Sequence, residues 1–124
     1  MAADFILDEL EESPGTCWVT FVAKRPVGRG TDSYSLAVEL EECTLDEIDA
    51  LSESGEDDRD LLLRKARNWK GFKVKDGDKL VDAPFERERF EKLLSRVWFV
   101  RPLSEAYQAR MASVEKRRSR QRGN

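Results

Sequence analysis

The chain has 124 residues, of which 40% are apolar and 38% charged, so it holds one domain with a modest core under a strongly solvated surface. No apolar run reaches 18 residues, so no membrane-spanning helix is expected, and the absence of histidine removes the usual general base and the commonest metal ligand. The net charge of -3 conceals a division: residues 1–62 carry 17 acidic and 4 basic side chains, whereas residues 63–124 carry 8 acidic and 18 basic. Such a division points to a polar interaction surface, to attraction between halves or copies, or to two halves that simply mix on folding.

The N-terminal stretch MAADFILDELEESPG is acidic and has no basic leader region, so it is not expected to be a secretory signal. A cytosolic, reducing compartment follows, in which Cys17 and Cys43 are expected as free thiols. Phe5, Ile6 and Leu7 fit a short strand or the first turn of a helix, and Ser13-Pro14-Gly15 reads as a turn.

Residues 16–26, TCWVTFVAKRP, are rich in β-branched and aromatic types and read as a strand. Residues 33–43, SYSLAVELEEC, read as a second, with Tyr34, Leu36, Val38 and Leu40 on one face. The glycine-containing VGRGTD between them is expected as a flexible hairpin loop. Setting Val19 opposite Leu40, Phe21 opposite Val38 and Ala23 opposite Leu36 keeps apolar residues together; this register turns Cys17 and Cys43 to opposite sides.

Four helices are expected next. The first, over 44–55, starts with a capping box of Thr44 and Glu47, carries Leu45, Ile48 and Leu51 as its stripe, and stops at Gly55. The second, over 56–71, is acidic in its first turn and basic in its last; Leu62, Ala66 and Trp69 fall at helical spacing and Gly71 is its stop. A short hairpin or extended loop follows, FKVKDGDKLVDAPF, turning at Asp76-Gly77 and closing at Pro84. Residues 84–98 form the third helix, with Phe90, Leu93, Leu94 and Val97 at helical spacing. The fourth places Pro102 in its first turn and Leu103, Ala106, Tyr107, Met111 and Val114 in its stripe. Residues 115–124 read as a basic, frayed tail, so the domain is 1–114. The fold class is α+β: an antiparallel hairpin or small sheet, then about four amphipathic helices with a short hairpin between the second and third.

Little in this chain looks chemical. Serines have no histidine partner, phosphate-binding glycine loops are absent, and the carboxylates of EDDRD at 56–60 are better used at a helix start than on a metal. No enzyme activity, cofactor or metal is expected. Trp69, Gly71, Phe72, Gly77 and Pro84 read as a structural joint rather than a pocket, because large aromatics at such places usually fill a core. Lys116, Arg117, Arg118, Arg120 and Arg122 could contact phosphates or an acidic protein surface. No aromatic stands among them to stack on bases, so nucleic acid is not the expected partner.

The order of elements around this joint resembles the small tail assembly chaperones of long-tailed, siphovirus-type bacteriophages. It is carried by Asn68-Trp69-Lys70-Gly71, Asp76-Gly77, Pro84-Phe85, Leu93-Leu94 and Ala106-Tyr107, with TLDEIDAL before them. It covers about residues 44–114, and it departs from the family at Phe72, where a valine is usual. The resemblance implies a non-catalytic holdase in the host cytoplasm. Such a protein coats the tape measure protein, a long helical chain, while tail tube subunits polymerise around it; a longer, frameshifted form is common in the family. On that reading Trp98, Phe99, Leu103, Tyr107 and Met111 bind partner helices; otherwise they close the domain's own core. Self-association of copies stays open. The rival readings are a small nucleic-acid-binding protein working through the basic tail and a bacterial protein–protein adaptor.

Overall fold

Alternating burial marks the first two strands, β1 over Thr16–Val27 and β2 over Gly30–Glu41, in the computed structural model of the chain. The structure describes residues 15–51 and 55–122, with Ala3, Ile6 and Leu7 before them; residues 55–57 and 113–122 are described as backbone alone. The expectations for Phe5 and for the turn at Ser13-Pro14 lie outside the described residues.

The two strands are joined by Gly28–Arg29, with a positive φ of 57° at Gly28 alone of the pair. That sign pattern is the type II′ hairpin turn, whose twist matches that of the strands. VGRGTD is therefore mostly strand, not loop. The turn sets Val19 opposite Val38, Phe21 opposite Leu36 and Cys17 opposite Leu40. The expected register is two residues out. A slip of two keeps every side chain on its face, so the hydrophobic pattern cannot separate the two registers and the turn decides.

The capping box forms as expected. Thr44 N–H donates to Glu47 Oε1 at 2.9 Å, and Glu47 N–H donates to Thr44 Oγ1 at 3.3 Å. It opens helix α1, Leu45–Leu51, of which Leu51 is buried while Leu45 is 70% exposed. Gly55 does not stop this helix: it is the first residue of α2, Gly55–Lys65.

The largest correction follows α2. Residues 66–71 do not continue the helix. Ala66–Lys70 is a strand, β3, antiparallel to β2 on the side away from β1. Leu40 faces Ala66 and Glu39 faces Asn68, so Arg67 is the extra residue of a β-bulge. The bulge puts Ala66 and Trp69 on one face although they are three apart, a spacing that reads as helix in a sequence. Helices and strands are thus interleaved, not segregated as expected.

A second, two-stranded sheet pairs β4, Lys73–Asp76, with β5, Lys79–Asp82. Its turn is Gly77–Asp78, with Gly77 at a φ of 65°. Helix α3, Arg87–Leu94, is shorter than expected. Ser95 Oγ donates to the Lys92 carbonyl at 2.6 Å and Arg96 N–H to the Leu93 carbonyl at 2.9 Å, which tightens and ends the last turn. Helix α4 then begins at Val97, one turn earlier than expected, so Pro102 lies inside it; it runs to Arg122. Residues 115–122 of the stretch expected as a frayed tail are thus helical backbone. Their lysine, arginine and glutamine are good helix formers, and cations suit the negative end of the helix dipole.

The fold is α+β: among the described residues, two small antiparallel sheets and four helices. Helix α4 packs across β1 and also meets α1, α2 and α3. The core between them is built from Val19, Phe21, Val38, Leu40, Leu62, Phe90, Leu94, Phe99, Leu103 and Tyr107, with Ala66 and Trp69 from β3. Among the described residues, no helix is long and apolar enough to cross a membrane.

Candidate functional site

The joint read from the sequence is the aromatic centre of the molecule. Trp69 stacks on Phe72, with ring centroids 4.2 Å apart and planes 16° apart, and meets Phe85 edge-on at 5.1 Å. Its indole N–H donates to the Ala83 carbonyl at 2.7 Å, and Ala83 N–H donates to the Phe72 carbonyl at 2.8 Å. These bonds fasten the β4–β5 hairpin to β3. Phe72 and Phe90 continue the cluster to Phe99 of α4. Gly71 turns the chain out of a strand, not a helix, at a φ of 89° and close against the Ser35 carbonyl. Pro84 links the hairpin to α3. Arg87 at the start of α3 donates to the Leu63 and Ala66 carbonyls, filling acceptors left open at the C-terminal end of α2.

Beside this cluster lies an open groove of about 420 Å³. Trp69, Phe72, Val74 and Leu93 supply its apolar wall, and Lys73, Arg89, Lys92 and Arg96 its cationic rim. Lys73 is paired with Asp82, and Arg89 with Glu86 at 3.1 Å. The Lys92 and Arg96 side chains have no hydrogen-bond or ion-pair partner among the described residues. A site of this composition takes apolar side chains flanked by carboxylates. Sequence reasoning missed it, because its wall and rim come from β3, β4, α3 and the residues just beyond them, which only the fold brings together; the signal available was the basic spacing of Arg89 and Lys92 on α3 with Arg96 just past its end.

The candidate partner residues on α4 fall into two groups. Phe99, Leu103 and Tyr107 are fully buried and offer no surface to a partner in this conformation. Trp98 and Met111 are half-buried against the same core, and the Arg25 guanidinium lies 5.8 Å from the Trp98 ring centre. Lys116, Arg117, Arg118, Arg120 and Arg122 lie on the final turns of α4.

Cys17 and Cys43 are free thiols, but they do not face opposite ways: both lie against the core. Cys43 Sγ donates to Tyr107 Oη at 2.7 Å, and Tyr107 O–H donates to the Glu41 carbonyl. Burial pushes both thiols and the Tyr107 phenol above their ordinary ranges; an Arg110 guanidinium opposes this at Cys17, and the Tyr107 hydrogen bond opposes it at Cys43. Raised thiol pKa values mean little thiolate at neutral pH. Among the described residues no three His, Cys, Asp or Glu side chains gather as a metal site. Asp58, buried, accepts from Ser104 Oγ at 2.7 Å and ties α2 to α4.

Comparison of the chain with protein-family models, with curated proteins and with solved structures gives no match.

Proposed function

We propose that this chain is a non-catalytic tail assembly chaperone of a long-tailed bacteriophage, which keeps apolar helical segments of the tape measure protein in solution in the host cytoplasm until tail tube subunits assemble around them. The observation that carries this reading is the groove. It is open, apolar along one wall and basic along its rim, and it combines part of the Asn68–Pro84 joint with Arg89, Lys92, Leu93 and Arg96, within the stretch that carries the resemblance. A helix that lays one apolar face into such a groove is held by burial at its anchors and oriented by charge at its edges.

The binding surface on this reading is the groove lined from β3, β4 and α3, not Phe99, Leu103 and Tyr107 of α4, which the core buries. One groove of this size holds a short segment weakly. A long helical partner offers many such segments in series, and several copies along it would act together. Co-expression with fragments of a tape measure protein tests the proposal. The soluble share of the fragment should rise several-fold with this chain and fall back when Lys92 and Arg96 are both changed to Glu. No rise with any fragment overturns the reading.

A further inference from the structure

Helix α4 packs across one face of β1 and β2 pairs with one of its edges; the other edge of β1 has no partner among the described residues. The joint shows which groups that edge presents. Gly71, just past β3, lies against the Ser35 carbonyl oxygen, so Ser35 aims its backbone groups toward β3. Val22 stands directly opposite Ser35, and residues opposite one another in an antiparallel pair either bond to each other or both aim away. Val22 therefore turns its N–H and C=O away from β2, and so do Thr16, Trp18, Thr20 and Lys24 at the same parity. Pro26 shares that parity, where its missing N–H costs the ladder nothing.

Proteins blunt their edge strands with lysines, prolines, bulges or brevity. The opposite edge of this sheet, β3, is 5 residues long and bulged at Arg67, and the β4–β5 hairpin is fastened beside it. Strand β1 is 12 residues long, and its stretch TCWVTFVA, residues 16–23, holds neither charge nor proline. Its β-branched and aromatic side chains are those that pair best across strands. We infer that β1 pairs antiparallel with β1 of a second copy of this chain about a two-fold axis at Thr20, joining the two three-stranded sheets into one.

Side chains and charge select that occupant and that register. Thr20 faces Thr20 of the second copy and Trp18 faces its Val22, a hydroxyl pair and an aromatic–β-branched pair that each favour the contact. Val22, 46% exposed in one chain, is thereby covered. Thr16 faces Lys24 of the second copy. Thr16 Oγ1 donates to the Glu39 carboxylate at 2.9 Å, so that ammonium arrives beside a carboxylate on the same face of the sheet. Arg25 of the second copy arrives opposite Gly15, whose carbonyl accepts from Glu42 N–H at 2.8 Å. The basic end of each β1 thus meets the acidic residues beside the start of the other, twice over by symmetry. The five outward residues exchange about ten hydrogen bonds, as many as an ordinary protein interface carries. A two-fold contact uses the same edge in both copies, and Pro26 stops it at either end, so assembly closes at the dimer. The groove lies at the β3 edge and stays open, and one dimer presents two.

Sedimentation equilibrium of the full chain over the micromolar range tests the inference. The chain should be a dimer. Thr20→Lys, at an exposed position, sets two ammonium groups face to face across the axis. It should raise the dissociation constant many-fold while far-UV circular dichroism stays that of the parent. Lys24→Glu should also weaken the dimer, and Lys24→Glu/Glu39→Lys should restore it, which damage to the fold would not do. A monomer throughout the range, a species larger than a dimer, a dimer that withstands Thr20→Lys, or charge reversals that fail to compensate overturn the inference. None of these outcomes touches the chaperone reading, whose rescue assay reads the groove.

Discussion

Gly71→Ala is the most informative single change in this fold. At a φ of 89° an L-residue is strained, and the left-handed region costs about 1–2 kcal/mol for a residue with a Cβ. The new Cβ would also stand 3.0 Å from the Ser35 carbonyl oxygen and 3.4 Å from Leu36 Cδ2. Ordinary carbon–oxygen contacts lie at about 3.3–3.6 Å. That oxygen belongs to the backbone of β2, which is held by β1 and cannot swing aside as a side chain would. Overpacking of this kind adds roughly 1–3 kcal/mol. The sum is about 2–5 kcal/mol, a large share of a small domain's stability. Gly77→Ala is the matched control: its φ is 65°, and nothing lies within 4 Å of the added Cβ, so it carries the backbone cost alone. Urea denaturation followed by far-UV circular dichroism should therefore place Gly71→Ala at least about 1 kcal/mol below Gly77→Ala, with unchanged slope. Equal losses for the two would refute the close approach of the joint to β2.

Two further changes test the elements that flank the joint. Thr44→Ala should cost about 1 kcal/mol by removing the acceptor for the Glu47 N–H, read from the denaturation midpoint. The Glu47 carboxyl is held below its usual range, first by the Thr44 backbone N–H and further by the Lys65 ammonium. A depressed folded-state value stabilises the fold above the unfolded value of about 4.3 and loses that contribution as pH falls through the folded value. The stability gap between the parent chain and Glu47→Gln should accordingly be full near neutrality and close on acidification below about pH 4.3; a gap constant with pH would show that the carboxylate charge is not what the site uses. Trp69→Phe keeps a ring against Phe72 but leaves the Ala83 carbonyl without its donor, and should cost roughly 1–2 kcal/mol by the same denaturation assay. A neutral result would mean that water or another donor reaches that carbonyl.

What the sequence disclosed depended on how local the signal was. The capping box and the α+β class follow from contacts between neighbours in the chain, and both appear in the structure; the turn read at Asp76-Gly77 lies one residue on, at Gly77–Asp78, because Asp76 pairs with Lys79. The register of β1 and β2 did not follow, because two registers two residues apart bury the same side chains and only the turn at Gly28–Arg29 distinguishes them. Trp69 misled for a sharper reason. A bulge at Arg67 gives a strand the apolar spacing of a helix, and nothing near it in the chain shows that β2 is waiting to pair. Phe99, Leu103 and Tyr107 read equally well as a sticky helix face or as core, and only the placement of β1 under α4 decides for core. The groove was invisible for the same reason, being assembled from three elements whose neighbours in space are not neighbours in sequence.

The charge division is partly resolved by folding, and what survives is informative. Laying α2 beside α1 and β3 beside β2 brings acids of the first half to bases of the second: Glu47 meets Arg64 and Lys65, and Glu41 meets Arg67. Surface pairs of this kind add little stability, about 1 kcal/mol or less each. Their effect is to pair acids of the first half with bases of the second in the middle of the chain, while Lys92 and Arg96 at the groove rim have no ion-pair partner among the described residues. Exposed charge around an apolar groove does little to hold a fold together. On the proposed reading it orients what enters the groove, a contribution that weakens with salt, whereas the aromatic packing beneath, from Trp69 through Phe72 to Phe99, does not. Trp69 and Phe72 thus serve both the core and the groove wall, whereas on the proposed reading the rim cations serve recognition alone.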